Sequence, residues 1–284
     1  MRRRAFLGGV AAALVLPRMI APARAEERRL ITLGSAVTET VFALGAGAEV
    51  VGVDTSSVWP AEAASRAQVG YHRQLSAEGV LGLRPTHVLA TDEAGPPATL
   101  SQLSAAGVHV VTLVATHDAV GASARIRAIG VAIGRRDESI RLATTLETEF
   151  AAAAHYVASA PSRPRVLFVY ARGAGTLQVA GRDNAADAMI GLAGGVNAVT
   201  GFDGYRPLTP EAAIGAAPDV VLLTTRGATS VGGTEAVWAL PGLALTPAGA
   251  ARRLVVFDDL LLLGFGPRAG AGAQALAVAL RARG

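Results

Sequence analysis

The chain has no cysteine and no lysine among its 284 residues. Without cysteine there is no disulfide, no thiolate metal site and no cysteine to carry a lipid anchor. The missing lysine says less: all 26 basic residues are arginine, as a GC-rich genome would produce. Also absent is any apolar run after the first 25 residues long enough to span a bilayer as a helix, so no membrane insertion of the mature chain is expected. Enzyme signatures are missing too. Gly45-Ala46-Gly47 lacks the third glycine of a dinucleotide fingerprint and follows a helical pattern instead of a strand. There is no P-loop, no HExxH and no G-x-S-x-G, and the acids are too dispersed to single out a catalytic pair. Nothing in the sequence asks for catalysis.

What is present begins with an address. Arg2, Arg3 and Arg4 precede an apolar stretch from Ala5 to Leu16, and Ala23-Arg24-Ala25 offers a small-x-small cleavage site. This is the layout of a signal peptide over residues 1–25, which predicts export. Arg3-Arg4-Ala5-Phe6-Leu7 resembles a twin-arginine signal, and an ordinary Sec signal with a basic start fits as well. The segment holds five arginines and no acid, so without it the formal charge of +4 becomes −1. That near-neutral balance argues against nucleic acid as a partner. The remainder of a chain that is 51% hydrophobic can bury a substantial core, in one large domain or two lobes.

Short apolar strands alternate with helical patterns along the rest. Strands are expected at Leu30–Leu33, Val50–Val53, His87–Ala90 and His109–Leu113, then at Arg165–Tyr170, Asp219–Thr224 and Leu254–Phe257. Alternation of this kind predicts an α/β fold with mainly parallel sheets. Between the halves, residues 118–157 read as one long helix, with Ile126, Ile129, Ile133, Ile140, Leu146 and Phe150 near helical spacing. A weak repeat links the halves: Leu75, Ser76, Glu78 and Pro85 match Leu208, Thr209, Glu211 and Pro218, and Glu39, Leu44 and Gly47 match Asp187, Leu192 and Gly195. The expected organisation is an N-terminal lobe over 26–117, a linker helix over 118–160 and a C-terminal lobe over 161–284. These would be two Rossmann-like lobes joined by one long α-helix, with a ligand cleft between them where loops leave the strands.

One loop concentrates recognition chemistry: Gly70-Tyr71-His72-Arg73, ahead of a Ser76 cap. A tyrosine phenolate is a ligand for ferric haem iron, and a guanidinium two residues away favours the phenolate. Packing of an amphipathic ring at the cleft rim would account for Tyr71 equally well. His72 is an alternative ligand or a rim residue, because neighbours in an extended loop point apart. His87, His109, His117 and His155 are scattered and show no metal-pair spacing. Glu78 and Glu211 occupy first helical turns, where an acid suits the helix dipole.

The runs VGYHRQLSAEGVLGLRPTHVL (69–89), RDNAADAMIGLAGG (182–195), GFDGYRPLTPE (201–211) and DDLLLLGFGPR (258–268) together resemble periplasmic haem-binding proteins of bacterial ABC importers, the helical-linker class of substrate-binding protein. The resemblance implies a protein that captures haem between its lobes and hands it to an inner-membrane permease with its ATPase. It implies Tyr71 as an axial ligand to the haem iron and Arg73 as its support. Some members carry a histidine in the loop after the strand matching Val166–Tyr170; here that loop has Arg172 and no histidine. Arg172 and Arg226 are candidates for the haem site, with Tyr205 and Arg206 as weaker ones. Glu78 and Glu211 match glutamates understood to dock onto permease arginines. The resemblance implies a monomeric periplasmic binding protein, not an enzyme. A ferric siderophore or corrinoid as ligand, or an exported α/β enzyme for a small metabolite, are the rival readings.

Overall fold

The computed structural model describes residues 28–173 and 175–282; the proposed signal segment 1–25 lies outside them. The N-terminal lobe runs β1 (Leu30–Leu33), α1 (Ser35–Ala43), β2 (Val50–Val53), α2 (Ala61–Ala64), β3 (Ala67–Gln68), α3 (Ala77–Leu81), β4 (His87–Thr91), α4 (Pro97–Ala105) and β5 (His109–Leu113). Its sheet has the order β3-β2-β1-β4-β5, every neighbouring pair parallel. The inner strands β1, β2 and β4 are buried along nearly their whole length, which their near-continuous apolar runs reflect, while the edge strands β3 and β5 are more exposed.

Two helices follow, α5 (Ala119–Ala132) and α6 (Arg136–Ser159). The single helix expected over 118–157 is therefore a hairpin. The break falls at Gly134, whose φ of +69° is left-handed. Arg135 N–H donates to Gly130 O at 2.7 Å and Gly134 N–H to Val131 O at 3.2 Å, the paired bonds of a glycine-terminated helix. Helix α6 alone, 24 residues long, is the long connection to the C-terminal lobe. The two helices approach closely where a side chain at Gly130 would collide with Ser139.

The C-terminal lobe runs β6 (Arg165–Ala171), β7 (Leu177–Ala180), α7 (Ala185–Leu192), β8 (Val196–Asn197), β9 (Tyr205–Pro207), α8 (Pro210–Ala216), β10 (Val220–Thr224), α9 (Thr225–Ser230), α10 (Pro247–Ala250), β11 (Leu254–Phe257), α11 (Asp259–Leu263) and α12 (Ala269–Ala279). Its order is β11-β10-β6-β7-β9, with β8 beside the start of β6. Strands β8, β6, β10 and β11 are parallel, whereas β7 and β9 are antiparallel additions. The sequence repeat has a structural counterpart. Ser76 caps α3 ahead of β4, and Thr209 caps α8 ahead of β10, each through its side-chain oxygen.

The helical hairpin fastens the lobes. Ile129 of α5 and Ile133 just past its end join the N-lobe core, while Ala122 and Ile126 of α5 join the C-lobe core with Leu146 and Phe150 of α6. Polar clamps add to this packing. Arg268 donates twice to Glu39, at 2.7 and 3.0 Å, and lies over the Trp59 ring at 4.6 Å. The Glu39 side chain is almost fully buried.

Candidate ligand-binding cleft

Both sheets direct the carboxyl ends of their strands toward one cavity of about 910 Å³ between the lobes. That volume lies near the upper end of the range for small-molecule sites. Tyr71, His72, Arg73, Arg172, Tyr205 and Arg226 all line it, so the structure gathers six candidates from distant parts of the chain. Arg206 is not among the lining residues; its guanidinium stacks on Phe202 at 4.5 Å. Glu78 and Glu211 are exposed in the first turns of α3 and α8, outside the cavity lining.

The Tyr71 loop is built to hold a fixed shape. Gly70 turns with φ +94°, Gln74 N–H closes a turn onto Tyr71 O at 2.8 Å, and Gly95 N–H donates to His72 O at 2.9 Å. Tyr71 remains 42% exposed, its ring open to the cleft. His72 is no rim residue. It is buried, its Nδ1 donates to Asp54 Oδ2 at 2.9 Å, and its ring meets Tyr71 edge-on at a centroid separation of 4.6 Å. Asp54 is wholly buried and also accepts from Gly34 N–H, Ser56 N–H and the Ser56 and Ser57 hydroxyls. Burial alone would raise its pKa. The bonds from His72, Ser56, Ser57 and Gly34 outweigh that and hold the carboxyl at about 2.

Arg73 forms an ion pair with Glu93 at 2.7 Å. Glu93 raises the guanidinium above its usual pKa, and Tyr71 and Tyr205 are near enough to act in the same direction. Arg73 thus lies within electrostatic range of phenols of both lobes. On the far wall Tyr205 packs against Tyr170 at 5.9 Å. Burial pushes the Tyr205 phenol up to about 12, aided by Tyr170 and opposed by Arg73.

In the sequence Tyr170 stands out only as part of an apolar strand pattern. In the structure it lines the cleft, and the Arg172 Nε donates to its hydroxyl while the guanidinium lies over its ring. The available signal was a second Tyr-x-Arg: Tyr170-Ala171-Arg172 mirrors Tyr71-His72-Arg73. Arg125 is equally inconspicuous in the sequence, a charge within a helical pattern. It lines the cavity from α5 at 6% exposure. Burial draws its pKa down, against the pull of Asp118, Asp92 and Glu93. Among the described residues no cluster of three or more His, Asp or Glu side chains could hold a bare metal ion, and no helix is long and apolar enough to cross a membrane.

The comparisons with known proteins converge on this architecture. The chain is 43% identical to the periplasmic heme-binding protein RhuT from Roseiflexus sp. RS-1 in apo form, over 89% of this chain and 98% of that one, with a TM-score of 0.86. It is 44% identical to the periplasmic heme-binding protein BhuT in complex with two hemes, over 89% and 99% of the respective chains, with a TM-score of 0.84. Vitamin B12-binding protein of Yersinia pestis (strain Pestoides F) is 33% identical over 107 residues, 38% of each chain. The family model described as periplasmic binding protein matches residues 30–260, and on this span the chain belongs to the periplasmic binding protein family.

Proposed function

We propose that this protein binds haem in the interlobe cleft and delivers it to an inner-membrane ABC permease and its ATPase, after export to the periplasm by its N-terminal signal. The observation that carries the reading is the pair of Tyr-x-Arg elements on opposite walls of one cavity. A phenolate is a hard anionic donor for ferric iron, and a guanidinium beside it stabilises the anion. Similarity to two solved haem-binding proteins over 89% of the chain supports the same ligand.

In this reading Tyr71 ligates the iron and Arg73 stabilises its charge. His72 serves the site indirectly: tied to Asp54, it backs the Tyr71 ring and is not free to turn onto the iron. Tyr170, supported by Arg172, is the matching donor of the C-terminal lobe, with Tyr205 beside it. Arg226 meets carboxylates at the mouth of the cleft. Glu78 and Glu211, one on each lobe, dock onto basic groups of the permease; two separated charges orient the encounter more than they add affinity. The protein works as a monomer, by capture and release without covalent chemistry. The hairpin and the Glu39–Arg268 clamp restrict the lobes to small relative movement.

Titration of the purified protein with haemin tests the reading, with cobalamin and a ferric siderophore as competitors. A stoichiometric haemin complex that neither competitor displaces is expected. The break point also separates one iron shared by the two walls from one iron on each, the latter matching the two hemes of BhuT. Tight binding of cobalamin or siderophore, with none of haemin, would overturn the proposal.

A further inference from the structure

The cations of the cleft differ in how their charge is answered. Arg73 pairs with Glu93, and Arg172 and Arg226 are exposed to solvent. Arg125 is 6% exposed, yet among the described residues its hydrogen bonds go only to neutral carbonyls, Val114 O at 3.0 Å and Phe265 O at 2.6 Å. Asp118, Asp92 and Glu93 influence its charge from a distance, but among the described residues none forms an ion pair with it. A buried cation without an adjacent counter-charge is strongly unfavourable, and proteins rarely keep one. Arginine carries five N–H donors in a fixed fork. Two are used here, which leaves three on a side chain that helps line the cavity.

We propose that Arg125 is a buried anion subsite that receives a carboxylate of the cleft ligand, a porphyrin propionate on the haem reading, on which this inference rests. The same guanidinium joins Val114, just past β5, to Phe265, just past α11. A carboxylate seated there is held by a group already bonded to both lobes, so binding reinforces their registration. The competing explanation is that Arg125 is only a bolt between two carbonyls, indifferent to what fills the cleft.

Haemin and haemin dimethyl ester, whose carboxylates are blocked, separate the two. Wild type should bind haemin more tightly than the diester by about 10- to 100-fold, the range of a charge-assisted hydrogen bond. Arg125→Gln should lose that preference while binding the diester as wild type does, and Arg125→Lys should recover part of it. Equal weakening toward both ligands in Arg125→Gln would reduce Arg125 to a bolt and overturn the proposal. If Arg125→Gln does not fold, the wild-type protein still answers through its ¹⁵N-resolved Arg125 Nε–H signal, assigned by its loss in Arg125→Lys. That signal should shift with gallium protoporphyrin and not with its dimethyl ester; identical responses would overturn the proposal. Wild type that takes up neither haemin nor diester would instead refute haem as the ligand, and the subsite with it.

Discussion

His72 and Asp54 form a buried pair directly behind the candidate iron ligand: Nδ1 of His72 donates to Oδ2 of Asp54 at 2.9 Å, and the same imidazole meets the Tyr71 ring edge-on. Asp54, which accepts five hydrogen bonds, holds this loop. Tyr71 owes its position to this pair, to the Gly70 bend and to the bonds between His72, Tyr71 and their neighbours at Gly95 and Gln74.

Asp54 should make stability depend on pH in the acid range. Its folded pKa of about 2 lies below the ordinary 3.8, so its contribution is fully present above about pH 4 and is lost as pH falls through 2. The depression corresponds to roughly 2 kcal/mol. Asp54→Asn should lower the unfolding free energy at pH 7 by about that amount or more, measured by urea denaturation, and the gap to wild type should narrow toward pH 2. A gap that stays constant across this window would show that the carboxylate's charge is not what matters.

The Glu39–Arg268 clamp should contribute to the joint between the lobes. Arg268→Met leaves the buried Glu39 carboxylate unpaired, at an expected cost of about 2–3 kcal/mol, while the double variant Glu39→Gln/Arg268→Met should cost less than the sum of the single changes. Additive effects in such a double-mutant cycle would mean that the contact seen at 2.7 and 3.0 Å carries no coupling.

Much of this architecture was legible in the sequence, and the exceptions have physical causes. Seven parallel strands are marked by short apolar runs, whose limits agree with the structure to within a residue at β1, β2, β4, β5, β6, β10 and β11, whereas the two-residue parallel strands β3 and β8 carry no such run. The helical hairpin was not legible, because the isoleucine periodicity continues through Ile133 and a lone glycine is tolerated in helices; only the φ of Gly134 reveals the turn. Strands β7 and β9 hid for another reason. Leu177–Ala180 is interrupted by Gln178 and Tyr205–Pro207 by Arg206, so neither forms a continuous apolar run. At the site, Tyr71, Arg73, Arg172, Tyr205 and Arg226 are candidates from the sequence, and all line the cleft. Arg206, the neighbour of Tyr205, stacks on Phe202, since adjacent residues in a strand face opposite ways. Tyr170 and Arg125 are not legible as site residues, because one reads as strand and the other as a helix surface charge.

Gly134 offers a local test of the hairpin. Any side chain there must accept a left-handed backbone, so Gly134→Ala should cost about 1–2 kcal/mol in thermal or urea unfolding. Haemin binding should be unaffected. A neutral result would indicate that α5 and α6 can join as the continuous helix that the periodicity suggested.

Docking can be separated from capture. Glu78→Arg with Glu211→Arg should abolish haem uptake by reconstituted transporter while haemin affinity stays at the wild-type value, because both residues lie outside the cavity lining. Undiminished uptake would remove them from the permease interface.

The most direct test of the central claim is the absorption spectrum of the haemin complex, compared between wild type and Tyr71→Ala. Wild type should give a high-spin, tyrosinate-type spectrum, and Tyr71→Ala should lose or strongly alter it. An unchanged spectrum and affinity in Tyr71→Ala would contradict the account.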